Sequence, residues 1–183
     1  MPINQRYDTF FKRLFAGIID GFIFIPLNWV AIYLFDNQSY MTIVLWGIAQ
    51  TICWTLYVII GHGKYGQTLG KRAMAVKVLD LDEKSTIGYK RAFIRESVWF
   101  ITSIAGSIYY LVIYNSTAPF DSGQFSVDDF LSYTTTIWFI LEIITMFFND
   151  KRRALHDLMA RSVVIDMDVV KREERFITTQ QNT

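Results

Sequence analysis

The sequence has few of the residues that build covalent or metal-bound frameworks. Its 183 residues include one cysteine, Cys53, two histidines, His62 and His156, and three prolines. A single cysteine excludes an intrachain disulfide and a cysteine-cluster metal site. Two histidines leave little material for a zinc site. We therefore expect no metal and no cofactor.

The chain also lacks an excess of charge of either sign. It has 18 Lys and Arg against 17 Asp and Glu, which gives a net charge of +1. A protein that binds nucleic acid through bulk charge is strongly basic, so we expect no nucleic-acid partner. A disordered chain combines low hydrophobicity with high net charge. The hydrophobic content of 52% excludes that class.

The apolar residues are concentrated in four runs, at 14–35, 40–60, 98–114 and 131–148. A bilayer core about 30 Å thick is crossed by roughly 20 helical residues. The first two runs reach this length, and apolar neighbours extend the other two. Buried helices of a soluble protein are the alternative, but four such runs would leave too little polar surface to cover them. The runs predict an all-α membrane protein with a bundle of four transmembrane helices.

Lysine and arginine fall on one side of this four-span arrangement. Residues 1–13 contain three, residues 61–97 contain eight and residues 149–183 contain seven, whereas 36–39 and 115–130 contain none. Basic residues are enriched in cytoplasmic segments. We therefore predict a multi-pass protein of the cell membrane with both termini in the cytoplasm.

The polar segments predict three smaller features. Residues 1–13 have aromatic and basic residues at helical spacing, which indicates an amphipathic interfacial segment or else the first turns of the first helix. The run at 73–82 and SVVID at 162–166 are strand-like, so we expect loop 61–97 to form a small β element with 162–166. The transmembrane domain would span 14–170, and residues 171–183 read as a polar tail that frays.

The bilayer itself is the expected partner, through anionic phospholipid head groups on the cytoplasmic side. Four basic side chains next to the predicted spans are expected to face these head groups: Lys71, Arg72, Arg152 and Arg153. A second copy of the chain is a further candidate partner, because four helices make a thin pathway for transport.

Two acids, Asp20 and Glu142, lie inside predicted spans. An Asp at a helix centre costs roughly 2.5–3.5 kcal/mol to insert, so such groups face the bundle interior or a partner. Each lies seven residues from a cytoplasmic edge, about 10 Å deep. The two could share a proton or a cation, with oxygens from Asn28, Gln50 and Thr135 nearby in the bundle.

Packing is the alternative role for Asp20, through an ion pair with Arg13 or Arg153. In either case we expect Asp20 to face the bundle, on the same side as Gly17 and near the fourth helix. Gly17 and Gly21 form a GxxxG step, which typically lets a second helix approach closely.

Three segments together resemble the RDD family of membrane proteins: RLFAGIIDGFIF from Arg13, YGQTLGKRAMAVKVLD at 65–80 and RRALHDLMARSVVI at 152–165. The family is named for one arginine and two aspartates. Arg13 and Asp20 match the first two, and Asp157 is taken as the third, with Asp80 as the alternative. Leu69 and the Arg161–Ser162 pair depart from the expected pattern. The resemblance implies several spans and a transport role without a defined ligand.

Three functions follow as hypotheses. The first is transport of a cation or proton through a site built on the intramembrane carboxylates. The second is a non-transporting membrane module that binds a partner or stabilises an assembly. The third, a membrane enzyme, ranks last because no Ser–His, Cys–His or metal-ligand spacing supports it. We therefore do not expect an enzyme.

Overall fold

The computed structural model describes residues 3–37, 40–115 and 127–181, which are mostly helical. A 3-10 turn at Ile3–Tyr7 precedes the first helix, and a π-helical turn at Gly61–Tyr65 follows the third. The elements in chain order are α1 (Phe10–Ile23), α2 (Ile25–Asn37), α3 (Tyr40–Ile60), α4 (Leu69–Ala73), β1 (Val76–Asp80), α5 (Gly88–Asn115), α6 (Val127–Phe147), α7 (Leu155–Met159), β2 (Ser162–Asp166) and α8 (Met167–Gln181).

All four apolar runs fold as helices, but the first is broken. Helices α1 and α2 meet at Phe24 with a bend of 49°. Pro26 lies in the first turn of α2, where its missing N–H and fixed φ are tolerated; further into a continuous helix its ring would clash with a carbonyl. The predicted span 14–35 is therefore two helical pieces.

Among the described residues, one helix is long and apolar enough to cross a membrane by itself, at Met41–Tyr65. The bent pair α1–α2 gives a second if it forms one span, and Ser132–Phe147 is a shorter apolar helix. Helix α5 is 28 residues long, but its first turns contain several charged residues, including Arg95 and Glu96.

The predicted β element is confirmed. Strands β1 and β2 pair antiparallel, with Val76 opposite Asp166 and Asp80 opposite Ser162. Successive side chains point to opposite faces of this ribbon, and each face is covered. Val76, Val78 and Val164 pack with Ile87 and Ala92 on one side. The ribbon therefore sits inside a small core at the end of the helices.

The N-terminal segment covers the other face of the ribbon. Tyr7 is buried in a cluster with Leu79, Val163 and Ile165. A side chain in this cluster cannot also lie on a bilayer, so the interfacial prediction for residues 1–13 is wrong for Tyr7. Phe11, like the following apolar residues Leu14 and Phe15, is exposed on α1.

The predicted C-terminal tail is helical as far as Gln181, which corrects the expectation of a frayed segment. The carboxylate of Asp166 accepts a hydrogen bond from the Asp168 amide at 2.9 Å, which caps the first turn of α8. Glu173 forms an ion pair with Arg6, and Val169 is buried. These contacts fix the helix to the N-terminal segment and the ribbon.

Candidate functional site

Asp20 is buried on α1 and faces the interior, as predicted. Its Oδ1 accepts hydrogen bonds from the Tyr57 hydroxyl at 2.6 Å and from the Gly70 amide at 2.7 Å. Its Oδ2 accepts one from the Thr68 hydroxyl at 2.6 Å. A buried carboxylate is thus stabilised by hydrogen bonds rather than by a counter-ion.

These hydrogen bonds hold Asp20 of α1 against the start of α4. Thr68 is the N-cap of that helix, and its hydroxyl accepts from the Lys71 amide while it donates to Asp20. Both pairings considered for Asp20 are therefore wrong. In the described part of the chain its hydrogen-bond partners come from α3 and the α4 turn. They are neither Glu142 nor an arginine.

The GxxxG expectation is also wrong. A Cβ added at Gly17 or Gly21 would meet no atom within 4 Å. The close approach is instead at Gly70, where a Cβ would lie 2.0 Å from the carbonyl oxygen of Ala16. The absence of a side chain at Gly70 lets its amide reach the Asp20 carboxylate.

Glu142 has its own partners on α6 and α7. Its Oε1 accepts from Trp138 Nε1 at 2.9 Å and lies 2.5 Å from His156 Nδ1. The other ring nitrogen, Nε2, lies 2.7 Å from an Arg95 nitrogen. A guanidinium can only donate, so Nε2 accepts and Nδ1 carries the proton that is donated to Glu142. His156 is held on both sides.

Asp157 is fully buried between two guanidinium groups. Arg13 Nη1 lies 2.6 Å from Oδ2, Arg95 Nη1 contacts Oδ1, and Ser162 Oγ donates to Oδ1 at 3.0 Å. Burial raises the pKa of Asp157, but Arg95 and Arg13 lower it more, so that the pKa lies well below its ordinary value. Arg13 and Asp157 are therefore paired with each other. Asp80, the alternative third signature residue, accepts a hydrogen bond from Ser85 Oγ instead.

Arg95 is a site residue that the sequence did not single out. It lies 62 positions from Asp157, in a stretch that also contains Lys90 and Arg91. No local spacing distinguishes it from those neighbours. A buried aspartate at a crowded basic surface predicts a guanidinium partner, which is confirmed, but it does not identify which arginines take part.

Lys71 does not face phospholipid head groups, and that prediction is wrong. Its Nζ lies 2.6 Å from His62 Nε2 and lines an internal cavity. Burial, then the nearby charge of Arg95, lowers the pKa of Lys71 to about 7. Arg72 is exposed, and Arg152 pairs with Asp8 at 3.3 Å. Arg153 is half-buried, with Nε enclosed. Lipid contact by these three arginines stays a prediction.

Two partly open cavities lie between the helices. The first, which we name the ionic cavity, has a volume of about 450 Å³ and is lined by both predicted carboxylates and several charged or titratable groups: Asp20, Glu142, Arg13, Lys71, Arg95, His62 and His156. The second, the amide cavity, measures about 550 Å³ and is lined by Asn28, Gln50, Thr51 and Ser103. Gln50 Nε2 donates to Asn28 Oδ1 at 2.5 Å.

Three side chains line both cavities: Trp54, Glu96 and Trp99. Thr135 on α6 is in neither lining, so the structure separates it from Asn28 and Gln50. Glu96 was missed because it lies just before the third apolar run, in a stretch read as a cytoplasmic approach. Its position between the cavities follows only from the packing of α3 against α5.

The surroundings of Glu96 contain unpaired donors. Its Oε1 lies 3.7 Å from His62 Nδ1 and 3.9 Å from Arg95 Nε, beyond hydrogen-bond distance. Both nitrogens are buried, and neither has a hydrogen-bond partner in the described residues. Such unsatisfied groups are rare in folded proteins, and a functional role is one explanation for them.

No group of three or more His, Cys, Asp or Glu side chains within residues 3–37, 40–115 and 127–181 is arranged to hold a metal ion. The site is instead a hydrogen-bonded set of acids and bases at the ends of apolar helices. Within the described residues, Met41–Tyr65 has the length and apolar composition of a membrane span, which is typical of helical membrane proteins.

The family comparison agrees with the motifs. The RDD family model matches residues 7–161, so the chain belongs to the RDD family, whose members are membrane-associated. No curated protein and no solved structure matches the chain.

Proposed function

We propose that the chain crosses the cell membrane four times, with both termini in the cytoplasm. The one-sided distribution of lysine and arginine supports this topology. The exposed apolar side chains on α1, α2, α3 and α6 support it too, since a soluble protein rarely exposes so large an apolar area. The ribbon, α4, α7 and α8 then form a cytoplasmic cap on the bundle.

Within this topology we propose that the protein transports protons or small cations. The observation that carries the proposal is that Glu96 lines both the ionic and the amide cavity. An ionisable side chain inside a membrane bundle is costly and typically marks an ion pathway or proton relay. The amide cavity supplies neutral oxygens, and the ionic cavity supplies groups that exchange protons near the cytoplasmic cap.

We therefore propose Glu96, rather than the Asp20–Glu142 pair, as the transport site. Asp20 accepts three hydrogen bonds from the protein, and Glu142 is held by Trp138 and His156. Glu96 lies near the Arg95 guanidinium and the His62 ring but makes no hydrogen bond of ordinary length to either. A carboxylate that makes no such hydrogen bond can bind and release an ion while the surrounding structure stays folded.

The test is ion flux into liposomes that contain the purified protein. A pH-sensitive dye and a cation-sensitive dye inside the vesicles would report protons and cations separately. We expect wild-type protein to dissipate an imposed gradient faster than protein-free liposomes, and Glu96→Gln to abolish most of the flux. The matched control is Glu174→Gln on the exposed surface of α8. Wild-type flux equal to that of empty liposomes would refute transport.

One observation favours the alternative of a non-transporting module. Phe176 and Ile177 on α8 are 64% and 56% exposed, next to basic side chains of a cytoplasmic helix. Exposed apolar side chains of this kind are typical of a protein–protein interface. We propose that the partner is a second copy of the chain. If Phe176→Glu converts an oligomer to a monomer in detergent while flux is absent from wild type, the module function is favoured.

A further inference from the structure

His62 is a buried histidine, 1% exposed, that lies between an acid and a base. Nε2 faces Lys71 Nζ at 2.6 Å, and Nδ1 faces Glu96 Oε1 at 3.7 Å. Lys71 is on α4 in the cytoplasmic cap, whereas Glu96 borders the amide cavity within the bundle. The imidazole thus connects the two ends of the site.

The state of Lys71 determines which nitrogen of His62 carries a proton. When Lys71 is an ammonium it can only donate, so Nε2 accepts and the proton lies on Nδ1, directed at Glu96. When Lys71 is a neutral amine it can accept from Nε2–H, and Nδ1 then has a free lone pair facing Glu96. Each state is compatible with the same ring position.

We propose that His62 relays a proton between Glu96 and Lys71 and that the transported ion is therefore H⁺. This deepens the proposed transport function and rests on it. The relay leads from Glu96, which borders both cavities, to Lys71 at the cap, and among the described residues the ring of His62 lies between the acid and the base.

The transfer moves two protons and leaves the total charge of the three groups unchanged. It starts with Glu96 protonated, His62 protonated on Nε2 and Lys71 neutral. The Nε2 proton passes to Lys71 Nζ, while Nδ1 takes the proton of Glu96. The products are a Glu96 carboxylate, His62 protonated on Nδ1 and a Lys71 ammonium. Lys71 then releases its proton to the ionic cavity, and Glu96 takes a new one from the amide cavity. The first tautomer returns when Nε2 takes a proton from water in the ionic cavity and Nδ1 gives one up to water there.

Two features of the structure suit this transfer. The Glu96–His62 gap must close by roughly 1 Å to reach hydrogen-bond length, and the cavities on both sides of Glu96 leave room for that movement. The pKa of Lys71, lowered to about 7 by burial and by Arg95, permits both of its states near neutral pH.

Other charged groups around the ionic cavity are engaged elsewhere. From α1, Arg13 is bound to Asp157 of α7. From α5, Arg95 contacts Asp157 and His156, and Glu142 of α6 is bound to His156. Asp20 is closed off by its three donors. Glu96 is the acid left to exchange a proton with His62.

The chain supplies its own control, because it contains just two histidines. His156 lies in the same cavity, but both of its ring nitrogens are engaged, by Arg95 and by Glu142. We expect it to hold Arg95 in place without relaying a proton. Replacing His156 by Gln leaves His62 as the only histidine, which makes its signals unambiguous.

The first experiment measures the tautomer of His62 by ¹⁵N NMR on histidine-labelled His156→Gln protein in lipid. We expect the protonated nitrogen to change from Nδ1 to Nε2 as the pH rises through the pKa of Lys71. The double variant with Lys71→Met should show no such change. A single tautomer across that pH range in both proteins would overturn the relay.

The second experiment compares proton flux in liposomes. His62→Gln keeps a donor and an acceptor but cannot pass a proton through its side chain, so we expect proton flux to fall by about 100-fold or more. Glu174→Gln, on the exposed surface of α8, should keep the flux. Equal proton flux in wild type and His62→Gln would overturn the relay.

The cation dye separates the relay from the broader function. If wild-type protein carries cations but not protons, the relay is wrong and the proposed transport function stands. If it carries neither ion, both are wrong. Proton flux that disappears in the His62 and Glu96 variants but persists in the Glu174→Gln control supports both.

Discussion

The amide of Gly70 donates a hydrogen bond to the carboxylate of Asp20 at 2.7 Å, across the contact between α1 and α4. The same contact brings the Gly70 Cα so close to α1 that a Cβ would lie 2.0 Å from the carbonyl oxygen of Ala16. Asp20 and Gly70 thus determine together how α4 packs against the first helix.

Gly70→Ala should therefore destabilise the protein strongly. The added methyl group meets backbone, which cannot turn aside as a side chain can, and overpacking of this kind costs about 1–3 kcal/mol or more. We expect a lower yield of folded protein and a lower melting temperature in detergent. Gly17→Ala is the matched control, since nothing lies within 4 Å of a Cβ there. Equal melting temperatures for Gly70→Ala and Gly17→Ala would contradict the close contact between Gly70 and α1.

Asp157→Ala should be among the most destabilising substitutions in the chain. It leaves Arg13 and Arg95 as buried charges without their shared carboxylate, and breaking a buried ion pair typically costs about 3–5 kcal/mol. We expect Asp157→Ala to reduce the folded fraction after membrane extraction. Replacement of Asp82, an exposed acid of the turn after β1, should leave that fraction unchanged.

The same carboxylate predicts a pH dependence of stability. Because the pKa of Asp157 is depressed in the folded protein, its ion pairs contribute fully above the unfolded pKa, about 3.9. The contribution is lost as the pH falls through the folded pKa. Acidification should therefore lower the melting temperature of wild type more than that of Asp157→Asn. An equal fall of the melting temperature with decreasing pH in the two proteins would argue against this role of Asp157.

Much of the fold could be predicted from local patterns. The apolar runs identified the apolar helices α1, α2, α3, α5 and α6, and two strand-like runs identified the paired strands, because burial and periodicity are encoded within each segment. The break at Phe24 was missed, since a proline inside an apolar run does not by itself exclude one continuous membrane span. The helical state of residues 171–181 was missed as well, because contacts of Arg6 and Val169 stabilise it.

The site was harder to predict, because its contacts join distant segments. Asp20 and Asp157 were found because buried acids are costly wherever they occur. Their partners Thr68, Gly70 and Arg95 were not, since each lies dozens of positions away in sequence. The inward orientation of Lys71 could not be foreseen either, because it depends on where α4 packs against α1.

The proposed topology predicts which sides of the membrane two positions occupy. With Cys53 replaced by Ser, single cysteines at Lys84 and Gln124 would be probed with an impermeant thiol reagent on intact cells. Lys84 follows β1 in the cytoplasmic cap, so we expect no labelling there until the cells are opened. Gln124 lies outside the described residues and should label from outside. Labelling at 84 but not at 124 would invert the topology.

Asp20 should serve packing, and its substitution should separate stability from transport. Asp20→Asn keeps one oxygen acceptor but turns an N–H group toward Thr68, so we expect a loss of about 1–3 kcal/mol in stability. Asp20→Ala removes the acceptors for Tyr57, Thr68 and Gly70 together and should cost more.

The decisive measurement combines melting with flux on the Asp20→Asn protein that does fold. Because all three hydrogen bonds to Asp20 come from groups that position α3 and α4, the folded variant should keep proton flux near the wild-type rate. Glu96→Gln should show the reverse, with near-normal melting and little flux, since Glu96 makes no hydrogen bond of ordinary length to His62 or Arg95. If Asp20→Asn melts like wild type and yet loses flux, Asp20 belongs to the ion pathway and the division of roles between the two acids is wrong.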